Sequence, residues 1–94
     1  MMLDLDRIGG VTAWPRASAL ASAYSREVSS HLFPEVSAHL LAATPGRHWL
    51  EYVDWADPIL QQPLWIKDGF AIPANRPGNG LAWNEDAVAK YRLT

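Results

Sequence analysis

The stretch "SSHLFPEVSAHLLAATPGRHWLE", Ser29 to Glu51, limits the possible folds more than any other part of this chain. Pro34 suits the first turn of a helix, where its missing N–H costs no hydrogen bond. "PEVSAHLLAA" then runs without a breaker until Thr44-Pro45-Gly46 stops it. A short strand is expected on either side, over Glu27 to Ser30 and over His48 to Val53. An earlier helix is expected after the Gly9-Gly10 break, capped by Thr12 and reaching about Tyr24, with Pro15 tolerated in its first turn. Its alanines and Leu20 are expected to make a thin, closely packing face. Helix, strand, helix, strand with short loops predicts parallel βα units, and so an α/β class.

After Pro58 the pattern changes. "PLWIKDGFAIP" holds two apolar runs around Asp68-Gly69, a strong hairpin signal. "NEDAVAKYRL" has Asn84 as a cap, acids in its first turn and Lys90 and Arg92 in its last, which predicts a short terminal helix. Trp65 and Trp83 are large enough to need burial that the visible chain scarcely provides. Two recognisable strands cannot close a core, because parallel sheets are covered on both faces. The chain is therefore expected either to oligomerise or, as the favoured reading, to be the end of a longer protein.

Composition removes several function classes. Of 94 residues, 49% are hydrophobic and 19% charged, which describes a globular rather than a disordered chain. A formal net charge of -2 gives no electrostatic reason to expect nucleic acid or an anionic membrane as partner. No cysteine is present, so there is no disulfide framework and no thiolate chemistry, which fits a reducing cytoplasm. No apolar run is long enough to span a bilayer, and "MMLDLDRIGG" lacks the features of a signal peptide.

Four segments together, "LDLDRIGGVTAW", "SSHLFPEVSAHLLAATP", "HWLE" and "RPGNGLAWNEDAVAKYRL", resemble the C-terminal end of the mandelate racemase and muconate lactonizing enzyme family of the enolase superfamily. The resemblance covers Leu3 to Leu93 and is most specific between Ser29 and Glu51. It implies the last part of a modified TIM barrel, (β/α)7β. Residues 1–57 would supply the last βα units. Residues 58–94 would be a hairpin and helix that return to a capping domain absent from this chain. Asp4 would lie just past the sixth barrel strand, His31 at the end of the seventh and Glu51 at the end of the eighth. All three would then face the mouth where such barrels hold their active sites.

The roles of these residues follow from the resemblance. His31 would be the base that removes or returns the proton α to a carboxylate. Asp4 would hydrogen-bond the remote ring nitrogen of His31, fixing its tautomer and stabilising the imidazolium. Glu51, protonated, would donate a hydrogen bond to the substrate carboxylate as charge builds there. The family stabilises the resulting enediolate with Mg²⁺. It draws that ion from carboxylates on the third, fourth and fifth strands and a second base, a lysine, from the second strand, none of which is present here. Met1-Met2 and Asp6 stand where a strand should lead into Asp4.

Without the resemblance each residue has a plainer reading: Asp4 as a solvated terminal acid, His31 as a structural histidine, Glu51 as a surface acid. His39, beside Leu40 in mid-helix, reads as a packing or hydrogen-bonded residue. Glu35, Arg47 and His48 form no zinc spacing with His31. Trp14, Trp49 and Trp55 read as core or interface.

The expected function is thus that of a C-terminal portion of a racemase or acid-sugar dehydratase. It would be inactive and without bound metal by itself, and competent towards a small carboxylate or acid-sugar substrate only with the missing N-terminal segment. Such a portion could be a gene remnant, the product of an internal start, or part of a longer chain. The alternative is a non-catalytic remnant that self-associates or binds a full-length relative. A third possibility is an independent small binding domain with coincidental motifs.

Overall fold

Gly9 and Gly10 have φ of 94° and 89°, a region open to glycine, and the turn they make leads into the first helix. The computed structural model describes all residues, Met1 to Thr94, as two compact units, Met1–Val53 and Asp54–Thr94. The first unit runs β1 (Met2–Asp4), α1 (Trp14–Ala23), β2 (Ser29–His31) and α2 (Pro34–Ala42). β1 and β2 pair in parallel, with Asp4 opposite His31 in the ladder. The two strands are joined through a helix, as a parallel pair requires.

Several local expectations are corrected. Thr12 does not cap α1. Ala13 holds that position without a side-chain bond, and the N–H groups of Ala13 and Trp14 instead donate to the carbonyl of Gly10. Leu20 is exposed, because α1 buries the side defined by Trp14, Ser18 and Ala21, a spacing of four and three residues. The strand expected over 27–30 is displaced to Ser29–His31, since it takes its register from β1. That first strand does exist, and Asp4 is its last residue rather than one beyond it.

The strand expected over His48 to Val53 is not formed. Its start lies beside β2, through a parallel bridge between Val28 and Arg47 and a bond from the His48 N–H to the Val28 carbonyl. Beyond that point, serine hydroxyls of β2 take the donors that a ladder would use. The Trp49 N–H donates to Ser29 Oγ and the Glu51 N–H to Ser30 Oγ. One backbone bond does continue, from the Ser30 N–H to the Trp49 carbonyl at 2.9 Å, so the segment follows β2 through mixed backbone and serine bonds rather than as a regular strand.

Leu3, Leu5, Trp14, Ala21, Val28 and Leu41 form the buried core of this unit, with Ile8, Ala17, Val36, Leu40 and Leu50 packed against it. Trp14 is 1% exposed, and its indole N–H donates to Thr44 Oγ1 at 2.9 Å. Thr44 in turn donates to the Leu40 carbonyl, so this buried pair is hydrogen-bonded through to the end of α2. Trp49 is exposed and contributes nothing to this core.

The second unit holds a 3-10 turn (Asp57–Ile59), the antiparallel pair β3 (Trp65–Lys67) and β4 (Phe70–Ile72), and α3 (Glu85–Tyr91). Asp68 and Gly69 both have positive φ, 51° and 78°, the backbone that a two-residue hairpin turn needs. Asn84 caps α3, its side chain accepting from the Ala87 N–H at 3.1 Å. Leu60 is the one buried large side chain of this unit; Trp55, Trp65 and Trp83 are all at least half exposed. No helix of the chain is long and apolar enough to cross a membrane.

Candidate active site

β1 and β2 end level with each other, which brings Asp4 and His31 together from positions 27 residues apart. The Asp4 Oδ2 to His31 Nδ1 distance is 2.9 Å. An ionised carboxylate only accepts hydrogen bonds, so the proton of neutral His31 sits on Nδ1 and Nε2 carries the lone pair. Asp4 is itself held by its own turn, because Oδ1 accepts the N–H groups of Asp6 at 3.0 Å and Arg7 at 3.1 Å. The Arg7 guanidinium lies 3.6 Å from Oδ2 but is 83% exposed, and solvent screens most of that attraction.

These contacts hold the Asp4 carboxyl below the ordinary aspartate value of 3.8. The Arg7 N–H contributes most, then the His31 side chain, then the Asp6 N–H, against an opposing effect of burial. A folded value below the unfolded one stabilises the fold above the unfolded pKa. That contribution is lost as pH falls through the lowered value. Acid titration of the first unit, followed by far-UV circular dichroism, should therefore show stability falling below pH 3.8. Asp4→Asn should flatten that limb; an unchanged acid limb would show that the carboxylate contacts do not stabilise the fold.

Glu51 approaches from the segment beside β2. Its Oε2 accepts the Leu32 N–H at 2.8 Å and lies 3.9 Å from His31 Nε2, outside hydrogen-bond range. His31 Nε2 is therefore not tied up by Glu51, and both side chains are about one-third exposed, at 38% and 37%. The arrangement is a base with an oriented lone pair, a carboxylate behind it and a second carboxyl beside it. It can accept a proton at Nε2 and offer a polar group to an adjacent ligand oxygen.

Immediately after His31, Leu32 and Phe33 have φ of 54° and 48°. Two successive non-glycine residues in the left-handed region cost about 1–3 kcal/mol each, and such strain gathers at functional sites. Phe33 occupies the N-cap position of α2, and Ser37 Oγ donates to the Leu32 carbonyl at 3.2 Å. Neither leucine nor phenylalanine signals this conformation in a sequence. Ser30 was also missed; its one signal is that small polar residues with poor strand preference stand directly before His31.

Magnesium takes near-octahedral oxygen donors. Both Asp4 oxygens are already engaged, one by two backbone N–H groups and one by the His31 ring, and Glu51 Oε2 is engaged by Leu32. No group of three or more acidic or histidine side chains is gathered to hold a metal ion. The residues of this site do not fit Mg²⁺. Glu35 and His48 do not join His31; His48 lies instead 3.8 Å from Glu27. His39 is half-buried in α2, with its Nε2 buried and without a hydrogen-bond partner.

Known proteins resemble this chain along nearly its whole length. It is 33% identical over 91 residues to the L-talarate/galactarate dehydratase of Salmonella typhimurium, covering 97% of this chain and 23% of that one. A solved enolase from Bradyrhizobium, complexed with magnesium and mandelic acid, is 50% identical. It superposes with a TM-score of 0.92, over 99% of this chain and 26% of the other. A mandelate racemase/muconate lactonizing enzyme from Polaromonas is 32% identical with a TM-score of 0.84, over 94% and 24%. The chain thus spans about a quarter of the length of these relatives. The model of the enolase C-terminal domain-like family, a TIM-barrel type of α/β domain, matches residues 1–87. The chain, with its parallel β1–α1–β2–α2 order, belongs to the enolase C-terminal domain-like family.

Proposed function

We propose that this chain carries the base side of an active site that removes the proton α to a carboxylate, as part of a racemase or an acid-sugar dehydratase. His31 Nε2 takes the proton, Asp4 holds the ring by its Nδ1–H and stabilises the imidazolium, and Glu51, in its protonated form, donates a hydrogen bond to the substrate carboxylate. The observation that carries this reading is the 2.9 Å contact between Asp4 and His31, with Nε2 left as the acceptor. A positioned base supplies typically 10²–10⁴-fold, so these three side chains do not by themselves account for an enzyme's rate. The rest would come from groups outside these residues, including the ligands of the magnesium ion found in solved relatives. In this reading residues 1–57 serve the barrel and residues 58–94 return to the cap. The lack of cysteine fits a reducing cytoplasm.

The test is exchange of the α-proton of a small hydroxy acid or acid sugar with deuterated water. The 94-residue chain alone should show none. Mixing it with a separately made N-terminal three-quarters of a relative, in the presence of Mg²⁺, should restore exchange. Robust exchange by the chain alone would refute the reading. The alternative, a non-catalytic piece that associates with itself or a relative, draws support from the exposed Trp49, Trp65 and Phe70. A stable complex with the N-terminal portion, folded but without any exchange, would favour it.

A further inference from the structure

Glu51 lies on a segment that forms no strand, and the backbone bonds that tie it to Val28 and Ser30 stop at Trp49, two residues short of Glu51. Two residues flanking His31 reach it in opposite senses. Ser30, 0% exposed, accepts the Glu51 N–H on its Oγ at 3.1 Å. The Leu32 N–H donates to the Glu51 side chain at 2.8 Å. The Leu32 peptide is fixed from its other end as well, because fully buried Ser37 donates to its carbonyl. Strained backbone persists where its surroundings over-determine it, and here both polar groups of a left-handed residue are bonded to side chains.

We propose that Ser30 and the Leu32 peptide form a two-point clamp that positions Glu51 against His31. Ser30 grips the Glu51 backbone and Leu32 grips its carboxylate. The residue between the two grips is His31, so base and carboxyl are set by one three-residue piece of backbone. The clamp uses Oε2 and leaves Oε1 to meet a substrate. Ser30 is a positioning residue, since it touches Glu51 and acts through it. Its effect on catalysis rests on the function proposed above, whereas the clamp itself does not.

Hydrogen exchange at single-residue resolution, on the 94-residue chain, tests the clamp directly. Ser30→Ala and Glu51→Ala should each speed exchange of the Leu32 amide roughly three- to tenfold, while amides of α1 keep their protection. The double variant should be no faster than the faster single one, because both remove the same device. Ser30→Thr keeps the hydroxyl and should restore protection. An unchanged Leu32 amide in Glu51→Ala overturns the clamp. So does a Ser30→Ala effect spread evenly over α1, which would mark Ser30 as general packing. Glu51 is partly exposed, so Glu51→Ala is expected to fold and keeps the test decisive if Ser30→Ala does not.

With the N-terminal portion supplied, Ser30→Ala should lower kcat for α-proton exchange with little change in KM. That pattern marks an interaction made in the transition state. An intact exchange signature with unchanged kcat would leave the clamp standing and remove Glu51 from the chemistry. A missing exchange signature would remove the clamp and leave His31 and Asp4 untouched.

Discussion

His31→Asn, in the chain complemented by the N-terminal portion of a relative, should abolish α-proton exchange from one face of the substrate. Asparagine keeps a polar side chain near Asp4 but has no basic nitrogen to take a proton at the position of Nε2. The expected loss is on the order of 10²–10⁴-fold in exchange from that face. Exchange from the opposite face should survive, because a base there would come from outside these 94 residues. Following both substrate enantiomers by proton NMR in deuterated water separates the two. Equal loss for both enantiomers, or none for either, would remove His31 from the role of face-selective base.

Trp14→Ala should unfold the first unit. The indole is 1% exposed, fills the centre of a core with only six buried members, and hydrogen-bonds Thr44. Removing a buried tryptophan side chain costs about 3–5 kcal/mol, comparable with the whole stability of a small domain. Trp14→Phe keeps most of the ring volume and loses the bond to Thr44, at a cost of about 1 kcal/mol. Urea unfolding followed by exchange protection in α1 and α2 would read the first unit specifically, which matters because the second unit has its own small packing centre around Leu60. A Trp14→Ala chain whose α1 amides stay as protected as those of Trp14→Phe would show that the indole is not the keystone of this core.

Much of the local structure was legible. Pro34 and the Thr44-Pro45-Gly46 stop bounded α2 to within a residue or two, because a missing N–H and a breaker act locally whatever surrounds them. The Asp68-Gly69 turn and the Asn84 cap were equally clear, each being satisfied within a few residues of itself. Expectations failed where partners lay far away in sequence. Leu20 faced outward because the direction of α1 is set by the core that Trp14 enters, whereas Thr12 lost the cap of α1 locally, to the Gly10 carbonyl. The strand over His48 to Val53 had the right composition, but Ser29 and Ser30 drew off its donors.

The candidate site divides in the same way. Asp4, His31 and Glu51 were nameable from short motifs, since the residue types that such chemistry requires are few. Their alignment was not. Asp4 meets His31 because two strands happen to end level in a parallel ladder, and no property of either residue encodes that register. Leu32 and Phe33 adopt a backbone that their side chains disfavour, held by Glu51, Ser37 and the start of α2.

The sequence by itself determined the α/β class, the helix limits set by proline and glycine, the hairpin and its turn, and the family to which the chain belongs. All of these rest on interactions between near neighbours or on residue types in a recognisable order. The tertiary structure alone decided which face of α1 is buried, that residues 48–53 run beside β2 without forming a regular strand, and that Asp4, His31 and Glu51 converge with His31 Nε2 left as acceptor. Those outcomes depend on hydrogen bonds between groups 19 to 30 residues apart, whose partners are chosen by packing rather than by spacing along the chain.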